Sequence, residues 1–373
     1  MKVLYLHIGT AKTGSTAIQK FLKLNQEKLT EQGYCYPMLF TDKYRDENKN
    51  AQFLIATRYD GQKKRKTEEE IRFLEEGMDQ ISDCFLQYDN VILSEERIWW
   101  ASSYLKPELF SLLKQEMKKR NFIIKIVAYL RRQDSFIESH WNQQVKGDRV
   151  SRTCEEHYAY LEKERPLMLD YAGKLEETAS YFGEENIIVR RYEPGQFEGG
   201  SIYTDFAKAV GLDWDDEFKM LVQTPNDRLK GTTHEIKRVI NGMQELNRSE
   251  VEFFRNVMTA CSKERTQKDE YAMFSVGEKR EILDKYKEGN LTVSQKYLKD
   301  GRPLFDDMVL KQPKWDVKQA DMREDMIRFV ATATAEVLRE NQRLDQEVRE
   351  LKDKLKHPIR TCCYRWFDAP HRK

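Results

Sequence analysis

The chain has 373 residues, and its 64 basic and 63 acidic side chains leave a formal net charge of +1. That length suits one large domain with an appendage. The balanced charge excludes a general nucleic-acid binder, which would carry a basic excess on one face, and no apolar run reaches the roughly 18 residues a membrane span needs.

In chain order, Val3–Ile8 is a short β-rich run that enters a glycine turn. It is too short for the apolar core of a signal peptide and predicts a buried strand. Gly9-Thr10-Ala11-Lys12-Thr13-Gly14-Ser15-Thr16 follows, and then an amphipathic run with Ile18, Phe21 and Leu22 on one face. A glycine turn entering a helix aims main-chain N–H groups and the helix dipole at an anion. Lys12 adds a mobile point charge, while Ser15 and Thr16 add short hydroxyl donors. A nucleoside-triphosphate loop reads G-x-x-x-x-G-K-[ST], with its lysine after the second glycine. Gly9 and Gly14 have that spacing, but Lys12 lies two residues before Gly14 and Ser15 follows it.

Val91–Ser94 predicts a second strand, with Glu95 and Glu96 at its exposed end. Adjacent acids there either start a helix or accept a proton from a bound hydroxyl. Trp99 and Trp100 come next. Two neighbouring tryptophans on a helix cannot both face inward, and a flat ring at a cleft suits the apolar face of a sugar. Phe122–Leu130 predicts the clearest strand; it ends in Arg131-Arg132-Gln133-Asp134 and continues as a helix carrying Ser139, His140 and Trp141. A strand-end guanidinium with a hydroxyl donor nearby suits phosphate oxygens. Ile187–Tyr192 predicts a further strand. Strands alternating with polar segments of helical spacing predict an α/β fold, a three-layer parallel sheet with flanking crossover helices.

From about Thr232 to Lys299 the pattern turns helical and rich in Glu, Lys and Arg, which predicts a helical cap, over about residues 215 to 310, at the carboxyl edge of the sheet. Arg228 and Lys230 within it read as a solvated basic loop that could add charge near a phosphate. Residues 1–314 thus form the main domain, followed by a long helix over 315–357. Ile327, Val330, Thr334, Val337, Asn341, Leu344, Val348, Leu351 and Leu355 follow a 3-4 alternation. Val348 at an a position between d-position Leu344 and Leu351, with Asn341 as a polar a residue, predicts a parallel two-stranded coiled coil, hence a homodimer through residues 327–355. Glu347 and Lys352 would attract across that pair, whereas Glu340 and Asp345 would repel. The alternative is one amphipathic helix packed on its own domain. The tail, 358–373, sets Tyr364, Trp366 and Phe367 among Arg360, Arg365, Arg372 and Lys373, a composition suited to an anionic membrane surface or to local packing. The six cysteines form no C-x-x-C pair and the six histidines no cluster beside them, which predicts a reducing, cytoplasmic compartment and no structural zinc.

Lys12-Thr13-Gly14-Ser15-Thr16 resembles the 5′-phosphosulfate loop, K-[ST]-G-[ST]-T, of the sulfotransferases that use 3′-phosphoadenosine-5′-phosphosulfate (PAPS). The wider string His7 to Thr16 is similar to the bacterial carbohydrate-type branch. Arg131 and Ser139 resemble the second motif of that family, a strand-end arginine and a serine eight positions later that clamp the 3′-phosphate. Arg132 is the less well placed substitute, and Arg131-Arg132-Gln133 stands where many members have Arg-Asn-Pro. Ile187–Glu193, Thr224–Arg228 and the stretch from Gly277 through Asn290 to Tyr297 are similar to later parts of the family. The likeness covers residues 1–310 in patches and leaves out the coil and the tail.

The resemblance implies a P-loop sulfotransferase fold over residues 1–314, PAPS as co-substrate, and metal-free in-line transfer of a sulfuryl group to a hydroxyl of a carbohydrate or glycolipid. It implies that main-chain amides around Thr13–Thr16 hold the 5′-phosphate, that Lys12 neutralises the leaving oxygen, and that Glu96, or next Glu95, is the general base. His140 and His7 are further alternatives for the base. Two readings from other classes stand beside this one: a P-loop kinase or other nucleotide-binding enzyme, which would need a lysine beside Ser15, and a catalytically inactive coiled-coil assembly protein.

Overall fold

The computed structural model describes residues 1–40, 43, 46, 48–221, 229, 232–263, 271–306, 311–318 and 321–356. Arg228, Lys230, the Thr224–Arg228 patch and the aromatic, basic tail with its membrane contact lie outside the described residues.

Five strands are present among these: β1 (Val3–Gly9), β2 (Tyr34–Cys35), β3 (Asn90–Ser94), β4 (Ile123–Leu130) and β5 (Ile187–Arg191). They form one parallel sheet in the order β2-β3-β1-β4-β5. All seven residues of β1 are buried, as a central strand covered on both faces requires, and this is why it reads as a near-continuous apolar run. Successive side chains alternate between the faces. Leu4, Leu6 and Ile8 join Val91, Leu93 and Ile126 on one side, while Val3 and Tyr5 join Ile92, Val127 and Tyr129 on the other.

Helices cover both faces of the sheet. In chain order the helices among the described residues are α1 (Ser15–Leu24), α2 (Gln26–Glu31), α3 (Thr67–Gln87), α4 (Ile98–Tyr104), α5 (Leu109–Arg120), α6 (Gln133–Gly147), α7 (Cys154–Glu164), α8 (Tyr171–Phe182), α9 (Ile202–Val210), α10 (Thr233–Gly242), α11 (Arg248–Lys263), α12 (Val276–Val293) and α13 (Asp321–Lys356). Ile18, Phe21 and Leu22 of α1 and Phe206 of α9 pack on the Tyr5 face. Phe73 and Met78 of α3, Phe110 of α5 and Leu175 of α8 pack on the Leu6 face. The fold is therefore a three-layer α/β sandwich of the expected class.

The chain divides into two compact units. The first comprises Met1–Trp141, Arg152–Pro225 and Ala272–Lys314; the second comprises Asn142–Ser151, Asn226–Tyr271 and Trp315–Lys373. Ala272–Lys314, which includes the later part of the expected cap, falls in the same unit as the sheet. The amides of Gln133 and Asn290 exchange hydrogen bonds of 2.8 and 3.1 Å, and Glu138 Oε1 accepts from the main-chain N–H groups of Met273 and Phe274 at 3.1 and 3.3 Å. Helical periodicity says that such a segment buries one face, but not against what. In the second unit Leu229, Ile236, Ile240 and Met258 form a small core with Phe254, Met322 and Phe329 against them. Here α13 begins on α11, through Phe254 and Phe329 with ring centroids 5.9 Å apart. Farther along α13, Val337, Leu344, Val348, Leu351 and Leu355 are exposed. No helix among the described residues is long and apolar enough to cross a membrane.

Candidate active site

The strand order puts β1 between β3 and β4, so the chain reverses direction of travel at the carboxyl end of β1. Ligands of open α/β sheets bind in the crevice at such a switch point. All three sequence motifs end there: the glycine loop after β1, the acid pair after β3, and Arg131 after β4.

The loop is shaped by its main chain. Gly9, Lys12 and Gly14 have φ of 98°, 64° and 74°, a left-handed region that favours glycine and is unusual for lysine. Thr10 N–H donates to the Tyr129 carbonyl at 2.7 Å, fastening the loop to β4. The buried Thr13 hydroxyl donates to the Thr10 carbonyl at 2.5 Å, so it folds the loop. Gly14 precedes α1 without a side-chain cap, and the first turn holds no acid. This leaves main-chain donors at a positive helix end for an anion. Ser15 is buried, Thr16 is exposed and Lys12 is half-buried.

Arg131 joins the second motif to the first. Its Nη1 donates to the Lys12 carbonyl at 3.0 Å and its Nε to Ser135 Oγ at 2.9 Å. The guanidinium lies 5.7 Å from the centre of the Tyr192 ring, and the Arg131 carbonyl accepts from Tyr171 Oη at 2.5 Å. Ser139 lies one turn beyond Ser135 on the same face of α6 and is half-buried. Ser135 was legible only through its i+4 spacing from Arg131. Arg132 turns away to the buried Asp134, with two bonds of 2.8 and 2.9 Å.

The two acids have different surroundings. Glu95 is fully buried; its oxygens accept 2.9 Å bonds from Arg97 Nε and Nη2, and Oε1 also accepts from the Arg97 N–H. Glu96 retains 16% side-chain exposure beside Gly9. Lys49 donates to its Oε1 at 2.5 Å and Gln19 to its Oε2 at 3.2 Å. Burial alone would push the Glu96 carboxyl up, but the Lys49 ammonium and these hydrogen bonds hold it below the usual carboxylate range. Gln19 also donates to Ser94 Oγ at 3.1 Å, and Ser94 Oγ lies 2.8 Å from His7 Nδ1. Asn50 bridges to β3 through Ile92 O and Ser94 N, both at 2.9 Å. Burial pushes His7 down to about 4, against the pull of the Glu96 charge. Lys49 stands far from Glu96 in sequence, on an irregular segment, and nothing local marked it.

His140 Nδ1 lies 2.9 Å from His157 Nε2. Burial, then the charges of Arg165, Lys12 and Arg152, push His140 down to about 4. Trp99 is a core residue against Tyr171, and Trp141 is buried with its indole N–H on the Arg152 carbonyl at 2.9 Å. Trp100 is half-buried, with Arg165 over its ring at 4.7 Å. Among the described residues no group of three or more His, Cys, Asp or Glu is arranged to hold a metal ion.

No protein-family model matches the chain. Over 176 residues it is 30% identical to an uncharacterized protein of Archaeoglobus fulgidus, covering 47% of this chain and 46% of that relative's length. Among solved structures it is similar to the crystal structure of a sulfotransferase from Alicyclobacillus acidocaldarius, at 16% identity and a TM-score of 0.36, over 66% of this chain and 98% of that one.

Proposed function

We propose that this chain is a PAPS-dependent sulfotransferase that transfers a sulfuryl group to a hydroxyl of a carbohydrate or glycolipid. The observation that carries the reading is the bond from Arg131 to the Lys12 carbonyl, which joins two anion-binding motifs at the carboxyl edge of adjacent strands. Main-chain N–H groups at the start of α1 hold the 5′-phosphate. Arg131, with Ser139 farther along α6, holds the 3′-phosphate. Lys12 neutralises the charge that grows on the phosphate oxygen as its bond to sulfur breaks.

Glu96 takes the proton of the acceptor hydroxyl while that oxygen bonds to sulfur, and adenosine 3′,5′-bisphosphate leaves. Lys49 and Gln19 hold the carboxyl in its ionised form, the form that accepts a proton. Glu95, with both oxygens on Arg97, holds the turn that presents Glu96. A P-loop kinase would carry its lysine directly after Gly14, where this chain has Ser15. The exposed apolar positions of α13 support pairing with a second copy of the chain through residues 327–355.

Equilibrium titration of the full chain with adenosine 3′,5′-bisphosphate in the absence of Mg²⁺ tests the reading. Saturable binding that Lys12→Ala and Arg131→Ala each abolish is expected. ATP binding of comparable strength would overturn it.

A further inference from the structure

Arg152 and Arg165 stand beside the site described above and have no part in it so far. The Arg152 guanidinium lies 3.9 Å from the Tyr160 ring centre, and Arg165 lies 5.6 Å from the same ring and 4.7 Å from Trp100. Trp100, Tyr160 and both arginines are half-buried. Arg65, Arg120, Arg190 and Arg191 each grip a carboxylate; among the described residues Arg152 and Arg165 form no ion pair. Two guanidiniums sharing one aromatic ring repel each other, and without a counter-charge that arrangement is costly unless an anion arrives. Stacking fixes each guanidinium by its face and leaves the N–H edge for a planar or tetrahedral oxyanion.

The pair is also connected to the proposed transfer site. Trp100, in α4, follows Glu96 by four residues, and His140, nine residues after Arg131, is within the electrostatic reach of Lys12 and of both arginines. His140 and His157, held neutral, add no competing positive charge and no counter-charge.

We propose that Arg152 and Arg165, presented by Tyr160 and Trp100, bind an oxyanion carried by the acceptor, so that the substrate is an anionic sugar. This rests on the sulfotransferase reading and deepens it. The shared chemistry is an oxyanion on the glycan, either a uronate carboxylate or a sulfate ester.

The test is calorimetry on the full chain saturated with adenosine 3′,5′-bisphosphate, titrated with 4-nitrophenyl β-glucoside, its 6-sulfate and 4-nitrophenyl β-glucuronide. At least one anionic glycoside is expected to bind about tenfold or more tightly than the neutral one, and comparison of the two identifies the oxyanion. Arg152→Gln and Arg165→Gln should each reduce that preference, and the double variant should remove it, while bisphosphate affinity and melting temperature stay unchanged. Equal affinity for all three glycosides, no measurable binding of either anionic one, or a preference that survives in the double variant overturns the proposal. Bisphosphate binding without anion preference removes this inference alone, whereas failure to bind the bisphosphate removes the sulfotransferase reading beneath it.

Discussion

A Cβ placed on Gly9 would stand 3.0 Å from both the Cβ and the carbonyl oxygen of Glu96. The loop after β1 and the acid after β3 are thus in direct main-chain contact, and the glycine is required both by its φ of 98° and by this approach. Gly9→Ala should cost about 1–3 kcal/mol of stability and displace Glu96. Urea unfolding and adenosine 3′,5′-bisphosphate binding of the variant check this; an unchanged urea midpoint would contradict the close approach.

Glu96→Gln removes the proposed proton acceptor and keeps a similar shape. Turnover should fall by about 10²–10⁴-fold, with bisphosphate affinity nearly unchanged. Glu95→Gln should act mainly on stability, because it leaves Arg97 without its carboxylate. Full turnover in Glu96→Gln would move the base elsewhere. The acid limb of the pH–rate profile should lie below the ordinary glutamate value, since Lys49 holds the carboxyl down.

The buried histidines give stability a pH dependence of known sign. His7 and His140 are pushed down to about 4, and His157 to about 2, each mainly by burial. Below the ordinary value of 6.5 the unfolded chain binds protons that the folded chain refuses. Stability should therefore be fully present above about pH 6.5 and decline as pH falls toward 4, by up to about 1.4 kcal/mol per pH unit for each histidine. Urea titrations between pH 7.5 and 5 measure the slope, and His157→Phe should flatten it.

If α13 pairs with a second copy, light scattering on the full chain should give twice the monomer mass. Leu344→Glu combined with Leu351→Glu should give the monomer, because it places like charges at facing d positions. A full chain that scatters as a monomer would leave α13 as a single exposed helix.

The parts of the site that were legible in the sequence are local ones. A strand, a glycine turn and a helix start occupy consecutive residues from Val3 to Leu24, and Arg131 ends the most apolar strand. Lys49 and Gln19 were not legible, because they reach Glu96 from sequence separations of 47 and 77. Trp99 and Trp100 were legible as a pair that must split, but which one enters the core depends on how α4 sits against Tyr171. The edge strand β2 has two residues, too few for any alternation to register. The placement of α12 beside the sheet depends on single polar pairs such as Gln133 with Asn290, which carry no periodic signal.

The bond between Arg131 and the Lys12 carbonyl also bears on how donor preference can be re-engineered. Lys12 reaches that bond from a left-handed main-chain conformation, so the position of its carbonyl depends on the loop's own sequence. Grafting a triphosphate-type loop, with its lysine after Gly14, would change the residue and the conformation at position 12 together. Arg131 would then lose its main-chain acceptor and its fixed aim. The glycine loop and the strand-end arginine therefore form one heritable module, and a change of donor has to rewrite both at once.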